Sequence, residues 1–423
     1  MKLTGFLRAT ASAMLLTLPL QFAAQASRAE EVTVSHYFTG DLGLSGMQAF
    51  FKAFEKESGI AVKDSRIGHE DYKTGILVRA AANSLPDVFS YGAGARPQFV
   101  VDAGNVAPLD DIWQSAHLDD VVSKSVADGA TIYNGKRYFI PVGYHYAGMF
   151  FNPQTMKAAG ITEMPKNWDG LLAACKTLRA HNVAPFALGS KSRWPAQFWF
   201  DYLLLGTAGP DYRNALMRGD THYTDEQVKR VMGMWKELID ADCFSPNSNA
   251  KEWTDAADEV ARGDAAMTLM GTWITGYWNG NKLKPVENYD FFPFPKLDDG
   301  VPVSVVGPVD GFLVAANSKN PEGARKLVAF MVSNAELQAN WANIQGALSP
   351  NVKVDPAIYT PVMKKALDTV AAAQNFAFNY DLATPPPVAE IGLDMFAEFM
   401  NDPSYIDTLL ERTEAGAKEG FSK

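Results

Sequence analysis

Short apolar strands alternate with amphipathic helices along most of this sequence, and this alternation constrains the fold more than any other feature. The first strand is predicted over 32–38, and the helix after it carries apolar residues at helical spacing from Met47 to Phe54 before Gly59 ends it. The same pattern predicts helices over 72–82, 168–180, 225–241 and from Pro321, and strands over 60–62, 86–91, 185–188, 265–270 and 311–316. Strands separated by helices of this length indicate an α/β fold with parallel strands.

The chain is too long for a single hydrophobic core. Its 423 residues predict about two domains, and a composition of 47% hydrophobic and 20% charged residues excludes wholesale disorder. No low-complexity linker separates two halves, since the Pro385–Pro387 run is too short and too close to the C-terminus. Two domains without a linker imply that the chain passes between them more than once.

Charge and residue counts exclude several classes of function. The formal net charge is −10 with no run of Lys and Arg, whereas binding to nucleic acid or an anionic membrane needs a basic surface. Two cysteines cannot build a zinc site or a disulfide framework, and no two of the six histidines are four residues apart. We therefore expect no nucleic-acid partner, no metal and no cofactor.

The first 29 residues have the pattern of a secretory signal peptide. Lys2 and Arg8 precede an apolar stretch over 11–24, and small residues follow up to Ala29, near which we expect cleavage. The apolar stretch is shorter than the ~20 residues that a membrane span requires. Removal of 1–29 leaves 35 basic against 48 acidic residues, a formal charge of −13. We expect a soluble product in the periplasm.

A series of short motifs resembles one known family. The motifs lie, in order, at 54–60 (FEKESGI), 85–88 (LPDV), 132–152 (IYNGKRYFIPVGYHYAGMFFN), 164–169 (MPKNWD), 261–273 (ARGDAAMTLMGTW) and 317–324 (NSKNPEGA). Each motif is weak alone, but the ordered set covers nearly the whole chain after residue 29. The sequence resembles family 1 extracellular solute-binding proteins, the sugar-binding subunits of bacterial ABC importers, and is similar to maltose-binding protein.

The resemblance implies a type II periplasmic binding protein, in which two α/β lobes close around a ligand at a hinge crossed about three times by the chain. Gly143, Gly307 and Gly346 lie at or beside the expected crossings and can absorb changes in backbone angles. The implied division is a signal peptide over 1–29, an N-terminal lobe of 30–142 with 306–346, and a C-terminal lobe of 143–305 with 347–423.

Aromatic residues at predicted strand ends are candidates for stacking against a sugar ring, whose faces are apolar. Trp273 follows a strand in a Gly-Thr-Trp context and by resemblance is the stacking tryptophan of the family. Trp194 lies in a loop and resembles a second aromatic of the same platform. The alternative for any tryptophan is a place in the core, which we expect for Trp113, Trp168 and Trp235.

Polar residues at strand ends, loops and crossings are candidates for hydrogen bonds to sugar hydroxyls, because carboxylates and amides can bond adjacent hydroxyls. They are His36, Tyr37, Asp41, Glu70, Ser90, Tyr91, Tyr144, His145, Asp310 and Gln345. For each of them the alternative is an ordinary polar residue of a surface loop. Arg66, Arg96 and Arg193 lie near the candidate loops and leave open whether the ligand is neutral or anionic.

The predicted function is a monomeric periplasmic receptor that binds a carbohydrate and delivers it to the membrane permease subunits of an ABC importer. One alternative is a periplasmic glycosidase or lyase using a carboxylate pair such as Asp41 and Asp310. No nucleophile elbow or phosphate-binding loop supports an enzyme. A second alternative is a receptor for ferric iron, phosphate or peptide.

The two cysteines are expected to be reduced and buried. Export permits a disulfide, but Cys175 is flanked by leucines on a predicted helix, as a small buried apolar residue would be. Cys243 lies in a turn after a different helix, and nothing in the sequence brings the two Cα atoms within the ~7 Å that a disulfide requires.

Overall fold

The computed structural model describes residues 30–422. The predicted signal peptide therefore lies outside the described residues. Within 30–422 no helix combines the length and the apolar composition needed to cross a membrane.

The strands are β1 (Glu31–His36), β2 (Ala61–Arg66), β3 (Val88–Gly92), β4 (Ile132–Tyr133), β5 (Lys136–Arg137), β6 (Ile140–Tyr144), β7 (Ala147–Phe151), β8 (Ala184–Phe186), β9 (Ala265–Gly271), β10 (Asp290–Phe292), β11 (Ser304–Val306), β12 (Val309–Val314) and β13 (Asn375–Ala377). Every strand predicted from the sequence has a counterpart here within a few residues.

The helices are α1 (Asp41–Ser58), α2 (His69–Ala81), α3 (Ala95–Asp102), α4 (Asp110–Ser115), α5 (Lys124–Ala130), α6 (Pro153–Ala158), α7 (Trp168–Ala180), α8 (Gln197–Arg218), α9 (Glu226–Asp240), α10 (Trp253–Arg262), α11 (Trp273–Gly280), α12 (Pro321–Ser333), α13 (Ala335–Gln345), α14 (Pro361–Ala372), α15 (Tyr380–Ala383), α16 (Pro386–Asn401) and α17 (Ile406–Phe421).

The first lobe is built on a five-stranded sheet in the order β2-β1-β3-β12-β6, and the helices of that lobe pack on the sheet. β1 is parallel to β2 and β3, whereas β12 is antiparallel to β3 and β6. All five residues of β3 are buried, as expected for a strand covered on both faces. α1 contributes the apolar stripe predicted from Met47 to Phe54, and Gly59 ends it in the left-handed conformation.

The second lobe is a six-stranded sheet in the order β13-β11-β7-β9-β8, with β10 paired to β7. All seven residues of β9 are buried. The lobe has its own hydrophobic core, separate from that of the first lobe, to which α7, α8, α9, α16 and α17 contribute. Two sheets with two cores confirm the predicted α/β fold with two lobes. Trp113 and Trp235 are buried as expected, and Trp168 is partly buried.

Three chain crossings between the lobes lie side by side at Tyr144. The chain leaves the first sheet after Tyr144, and it returns between Val306 and Val309. Tyr144 pairs with Val309 on one side, and on the other its N–H and carbonyl bond the Leu348 backbone at 2.9 and 2.8 Å. Leu348 follows Gly346 on the third crossing, which lies between α13 and α14.

The expectation of two reduced cysteines is wrong, because Cys175 and Cys243 form a disulfide with Cα atoms 5.6 Å apart. Cys175 lies on α7, which leads into β8. The turn after α9 runs beside β8, where the Phe186 N–H donates to the Cys243 carbonyl at 2.9 Å. This strand-edge contact brings the second cysteine to the first, and neither helix predicts it from its own sequence.

Candidate ligand-binding cleft

A cleft of about 490 Å³ opens between the two lobes next to the crossings. This volume lies in the range of small-molecule sites. The residues that line it are Tyr37, Phe38, Gly68, His69, Glu70, Asp71, Tyr72, Lys73, Tyr91, Gly92, Arg96, His145, Ser192, Trp194, Phe198, Glu252, Trp253, Trp273, Pro308, Asp310, Gln345, Asn379, Asp381 and Leu382.

Three aromatic rings form the wall on the side of the second lobe. The Trp273 ring lies 5.7 Å from Trp194 and 6.1 Å from Phe198, measured between centroids. Trp273 begins α11 two residues after β9 ends, and a Cβ at Gly271 would lie 1.9 Å from its ring. The glycine therefore allows the indole to fold back over the strand end. The partly exposed indoles present a flat apolar surface to the cleft.

A second group of rings forms the wall on the side of the first lobe. Tyr37 follows β1, and its ring meets the rings of His69 and Tyr72 edge-on at 5.0 and 5.4 Å. His69 and Tyr72 share the first turn of α2. Edge-to-face packing of this kind holds rings in fixed orientations.

The floor of the cleft centres on Asp310, the second residue of β12. Its Oδ1 accepts a hydrogen bond of 2.5 Å from the Tyr37 hydroxyl, and its Oδ2 lies 3.5 Å from His145 Nε2. Burial raises the pKa of Asp310 to about 6, although the Tyr37 hydrogen bond works in the opposite direction. Burial, reinforced by the nearby Asp310 carboxylate, raises the pKa of Tyr37 well above its usual value, so Tyr37 remains a donor.

His145 connects this floor to the aromatic wall and to the hinge. Its Nδ1 lies 3.0 Å from Thr272 Oγ1 and 3.2 Å from the carbonyl oxygen of Gly346, and its ring meets Trp273 edge-on at 5.3 Å. Burial lowers the pKa of His145 to about 4, so the ring is neutral at pH 7. A residue on the first crossing thus contacts the second crossing, where its backbone N–H donates to the Pro308 carbonyl at 2.9 Å, and also the third, at Gly346.

A network of charged groups joins the lobes at one end of the cleft. Arg96 Nη2 donates to Asp381 Oδ2 at 2.7 Å, and Lys73 Nζ lies 3.9 Å from the same oxygen. Lys73 also pairs with Glu70 at 2.9 Å. Burial alone would raise the pKa of Asp381, but the charges of Arg96 and Lys73 outweigh it and lower that pKa. Asn379 Nδ2 donates to Asp381 Oδ1 at 2.5 Å.

Two further predicted residues lie in the lining. The hydroxyl of Tyr91 is buried and has no hydrogen-bond partner in the part of the chain that the structure describes. Gln345 is the last residue of α13, immediately before the third crossing. Eight of the twelve residues chosen from the sequence therefore share this cleft: Tyr37, Glu70, Tyr91, His145, Trp194, Trp273, Asp310 and Gln345.

The other four predicted residues lie outside the lining. His36 is buried with its Nε2 3.7 Å from Asp64, and burial lowers its pKa to about 4. Asp41 is exposed at the start of α1. Ser90 is buried in β3, where its Oγ accepts from the Tyr37 N–H at 3.3 Å. Tyr144 forms the hinge pairing described above and turns its ring toward Phe376, 6.4 Å away.

The sequence-based selection missed several lining residues. Trp253 begins α10 as Trp273 begins α11, a shared context that could have identified it. The sequence places Arg96 near the candidate loops as a possible partner for an anionic ligand, whereas in the structure it pairs with Asp381, in a segment for which the sequence predicts no element. Among residues 30–422 no group of three or more His, Cys, Asp or Glu side chains could hold a metal ion.

Two α/β lobes joined by three adjacent crossings, with a cleft of aromatic and carboxylate groups between them, define a two-lobe solute receptor. The chain belongs to the bacterial extracellular solute-binding protein family, whose model matches residues 41–338.

Similar proteins agree with this assignment. An uncharacterized ABC transporter extracellular-binding protein of Pyrococcus horikoshii is 28% identical over 365 residues, covering 84% of this chain and 80% of that protein. A probable sugar-binding periplasmic protein of Mesorhizobium japonicum is 24% identical over 399 residues, covering 91% of this chain and 93% of its own.

Solved structures of solute receptors have the same fold. The bacterial solute receptor AcbH, which has an exclusive preference for β-D-galactopyranose, superposes with a TM-score of 0.85 at 21% identity over 93% of this chain and 100% of its own. A chitin oligosaccharide binding protein superposes with a TM-score of 0.85 at 24% identity over the same shares.

Proposed function

We propose that this protein is a carbohydrate receptor that closes around a sugar and delivers it to the permease subunits of an ABC importer. The observation that carries the proposal is the pairing of an aromatic wall, formed by Trp273, Trp194 and Phe198, with the Asp310 carboxylate on the cleft floor. Aromatic faces suit the apolar faces of a pyranose, and a carboxylate suits its hydroxyls. The sugar-binding relative and the two sugar-binding structures support the same ligand class.

Closure of the cleft would follow from the arrangement of the crossings. Backbone pairing at Tyr144 confines relative movement to one short region, and ligand groups bound to both walls would favour the closed state. We propose the lobe division predicted from the sequence, 30–142 with 306–346 and 143–305 with 347–423. These boundaries lie within a few residues of the observed crossings.

The proposal includes export of the protein to the periplasm and a monomeric state. A signal peptide cleaved near Ala29 would export the chain to the periplasm, where it would act as a monomer and meet the importer after closure. The family to which the chain belongs is extracellular, which supports export.

We further propose that the protein binds without catalysing a reaction. A glycosidase needs two carboxylates flanking the bond that is cleaved. The pair considered from the sequence does not form in the cleft, because Asp310 lines it whereas Asp41 is exposed on α1 outside it.

The proposal is tested by titrating the purified chain, residues 30–423, with a panel of mono-, di- and oligosaccharides. We expect saturable quenching of tryptophan fluorescence by at least one sugar, with the sugar recovered intact by chromatography after prolonged incubation. Hydrolysis or elimination products would assign an enzyme, and no response to any sugar would contradict the carbohydrate receptor.

A further inference from the structure

The charged groups that face the cleft are mainly acidic. They comprise the carboxylates of Glu70, Asp71, Glu252, Asp310 and Asp381 and the cations of Lys73 and Arg96. Glu252 pairs with Lys191 at 3.1 Å, and Glu70 and Asp381 pair with the two lining cations, so among residues 30–422 the lining carboxylates without a Lys or Arg partner are Asp71 and Asp310. A ligand that carries an acidic group would therefore meet negative charge unless one of the cations were free to bind it.

Neither cation that lines the cleft is free. Arg96 pairs with Asp381 at 2.7 Å, and Lys73 pairs with Glu70 at 2.9 Å and also faces Asp381. Both long side chains are at most 11% exposed, so their charges are held by these partners rather than extended into solvent.

The other arginines near the candidate loops do not supply an anion site. Arg193 is directed away to Glu390 and Asp394, at 2.5 and 2.6 Å. Arg66 lies at the end of β2 and is not part of the lining.

Asp310 has no cationic partner on the cleft floor. Its only hydrogen-bond donor within residues 30–422 is the neutral hydroxyl of Tyr37, and the nearest ring nitrogen belongs to His145, which burial keeps neutral. A buried carboxylate in this state is stabilised by any ligand group that donates hydrogen bonds to it. Sugar hydroxyls do so, whereas a second carboxylate repels it.

We propose that the cleft selects sugars without an acidic group and rejects sugar acids, and that Asp310 is the residue that sets this preference by accepting hydrogen bonds from ligand hydroxyls. The inference rests on the proposed carbohydrate-binding function and specifies its ligand class. Amino sugars, whose ammonium groups also donate, fall in the accepted class.

Matched pairs of ligands test the inference. Calorimetry at pH 7.5 on residues 30–423 would compare D-galactose with D-galacturonate, D-glucose with D-glucuronate, and galactobiose with digalacturonate. We expect every neutral sugar that binds to bind at least about 100-fold more tightly than its acidic partner, because like charges in such a site are strongly unfavourable. This comparison needs no variant and therefore no assumption about folding.

The variant Asp310→Asn tests the residue. It should weaken binding of the neutral sugar about tenfold or more. The ratio between the affinities for the neutral sugar and for its acidic partner should fall to about tenfold or less. Asp128→Asn removes the same charge from the exposed surface of α5 and should leave the ratio unchanged.

The selectivity, the role of Asp310 and the proposed carbohydrate-binding function would each be overturned by a different outcome. An acid that binds as tightly as its neutral partner overturns the selectivity. A ratio that Asp310→Asn leaves unchanged overturns the role of Asp310. If no sugar in any pair binds and none does in the wider panel, the proposed function itself fails.

Discussion

Arg96 and Asp381, which are 285 residues apart in the chain, form a buried ion pair that joins the two lobes. Arg96 lies on α3 of the first lobe, whereas Asp381 follows Tyr380, which is buried in the core of the second lobe. The backbones approach closely here, since a Cβ at Gly94 would lie 2.2 Å from the Leu382 carbonyl oxygen. The C-terminal part of the chain is thus tied to the far lobe at the edge of the cleft.

Breaking this pair should destabilise the free protein. Asp381→Asn would leave Arg96 buried without its counter-charge, a change that costs about 3–5 kcal/mol in buried pairs. Denaturant unfolding without ligand measures the loss. The matched control is Asp298→Asn, which breaks the more exposed bidentate pair with Arg230 and should cost about 1 kcal/mol or less. Equal losses in both variants would show that the interlobe pair contributes no more than a surface one.

Two tryptophans of the same helix should separate binding from stability. Trp273→Ala removes the centre of the aromatic wall and should abolish sugar binding, while the free energy of unfolding falls by only about 1–2 kcal/mol because the ring is partly exposed. Trp278 is fully buried and donates its indole N–H to the Ala257 carbonyl at 3.2 Å. Trp278→Ala should therefore cost about 3–5 kcal/mol. A loss of stability for Trp273→Ala as large as for Trp278→Ala would place Trp273 in the core instead.

Sugar affinity should decrease on acidification through pH 6. Burial raises the pKa of Asp310 to about 6, so the carboxylate becomes protonated in this range. Protonation removes the negative charge that accepts hydrogen bonds from the sugar hydroxyls, and the affinity falls. Titrations between pH 7.5 and 5 should show the decrease in the wild type and not in Asp310→Asn. A parallel decrease in both proteins would assign the effect to another group.

The stability of the ligand-free protein should respond to the same group with the opposite sign. A carboxyl whose folded pKa lies above its unfolded value stabilises the fold fully below about pH 4, and this contribution is lost as the pH rises through 6. Asp310→Asn should thus be more stable than the wild type at pH 8 by up to about 3 kcal/mol, with no gain at pH 4. His36 and His145, whose pKa values burial lowers to about 4, destabilise the fold increasingly as the pH falls from 6.5 to 4. Both are neutral in the folded and the unfolded chain at pH 8, so they do not contribute to the difference predicted there.

Thiol chemistry should confirm the bond between Cys175 and Cys243. Titration in denaturant without reductant should detect no free thiol in the oxidised protein. Reduction, or the double change Cys175→Ala with Cys243→Ala, should destabilise the protein by about 4 kcal/mol, since the bond closes a loop between residues 68 apart. Reductant should have no effect on the double variant. Two free thiols in the untreated protein would contradict the bond.

Local sequence patterns were sufficient to predict most of the elements that build the cleft. The apolar spacing from Met47 to Phe54 predicted α1, because a helix buries one face and that face recurs every three to four residues. Tyr37 and Trp273 come just after β1 and β9, and side chains that follow buried strands emerge at a sheet edge. Asp310 lies near the start of β12, which is antiparallel to β3, so that the start of β12 lies beside the end of β3.

Hydrophobic spacing does not predict a helix that is apolar on all sides or that is interrupted by a kink. The sequence of α8 is nearly continuously apolar from Phe198 to Leu205, so no face stands out. A kink at Gly209, before Pro210, interrupts it further. The sequence patterns also predict no helix after α12.

The amino-acid sequence by itself determined the α/β class, because alternating strands and helices follow from local apolar patterns. Its length and the ordered set of family motifs indicated two lobes. Only the tertiary structure decided which residues meet. The disulfide depends on the turn after α9 lying beside β8, and the Arg96–Asp381 pair depends on α15 reaching the first lobe. Contacts between residues tens to hundreds of positions apart are set by the packing of whole helices and strands. The spacing of apolar residues within one helix or strand does not predict that packing.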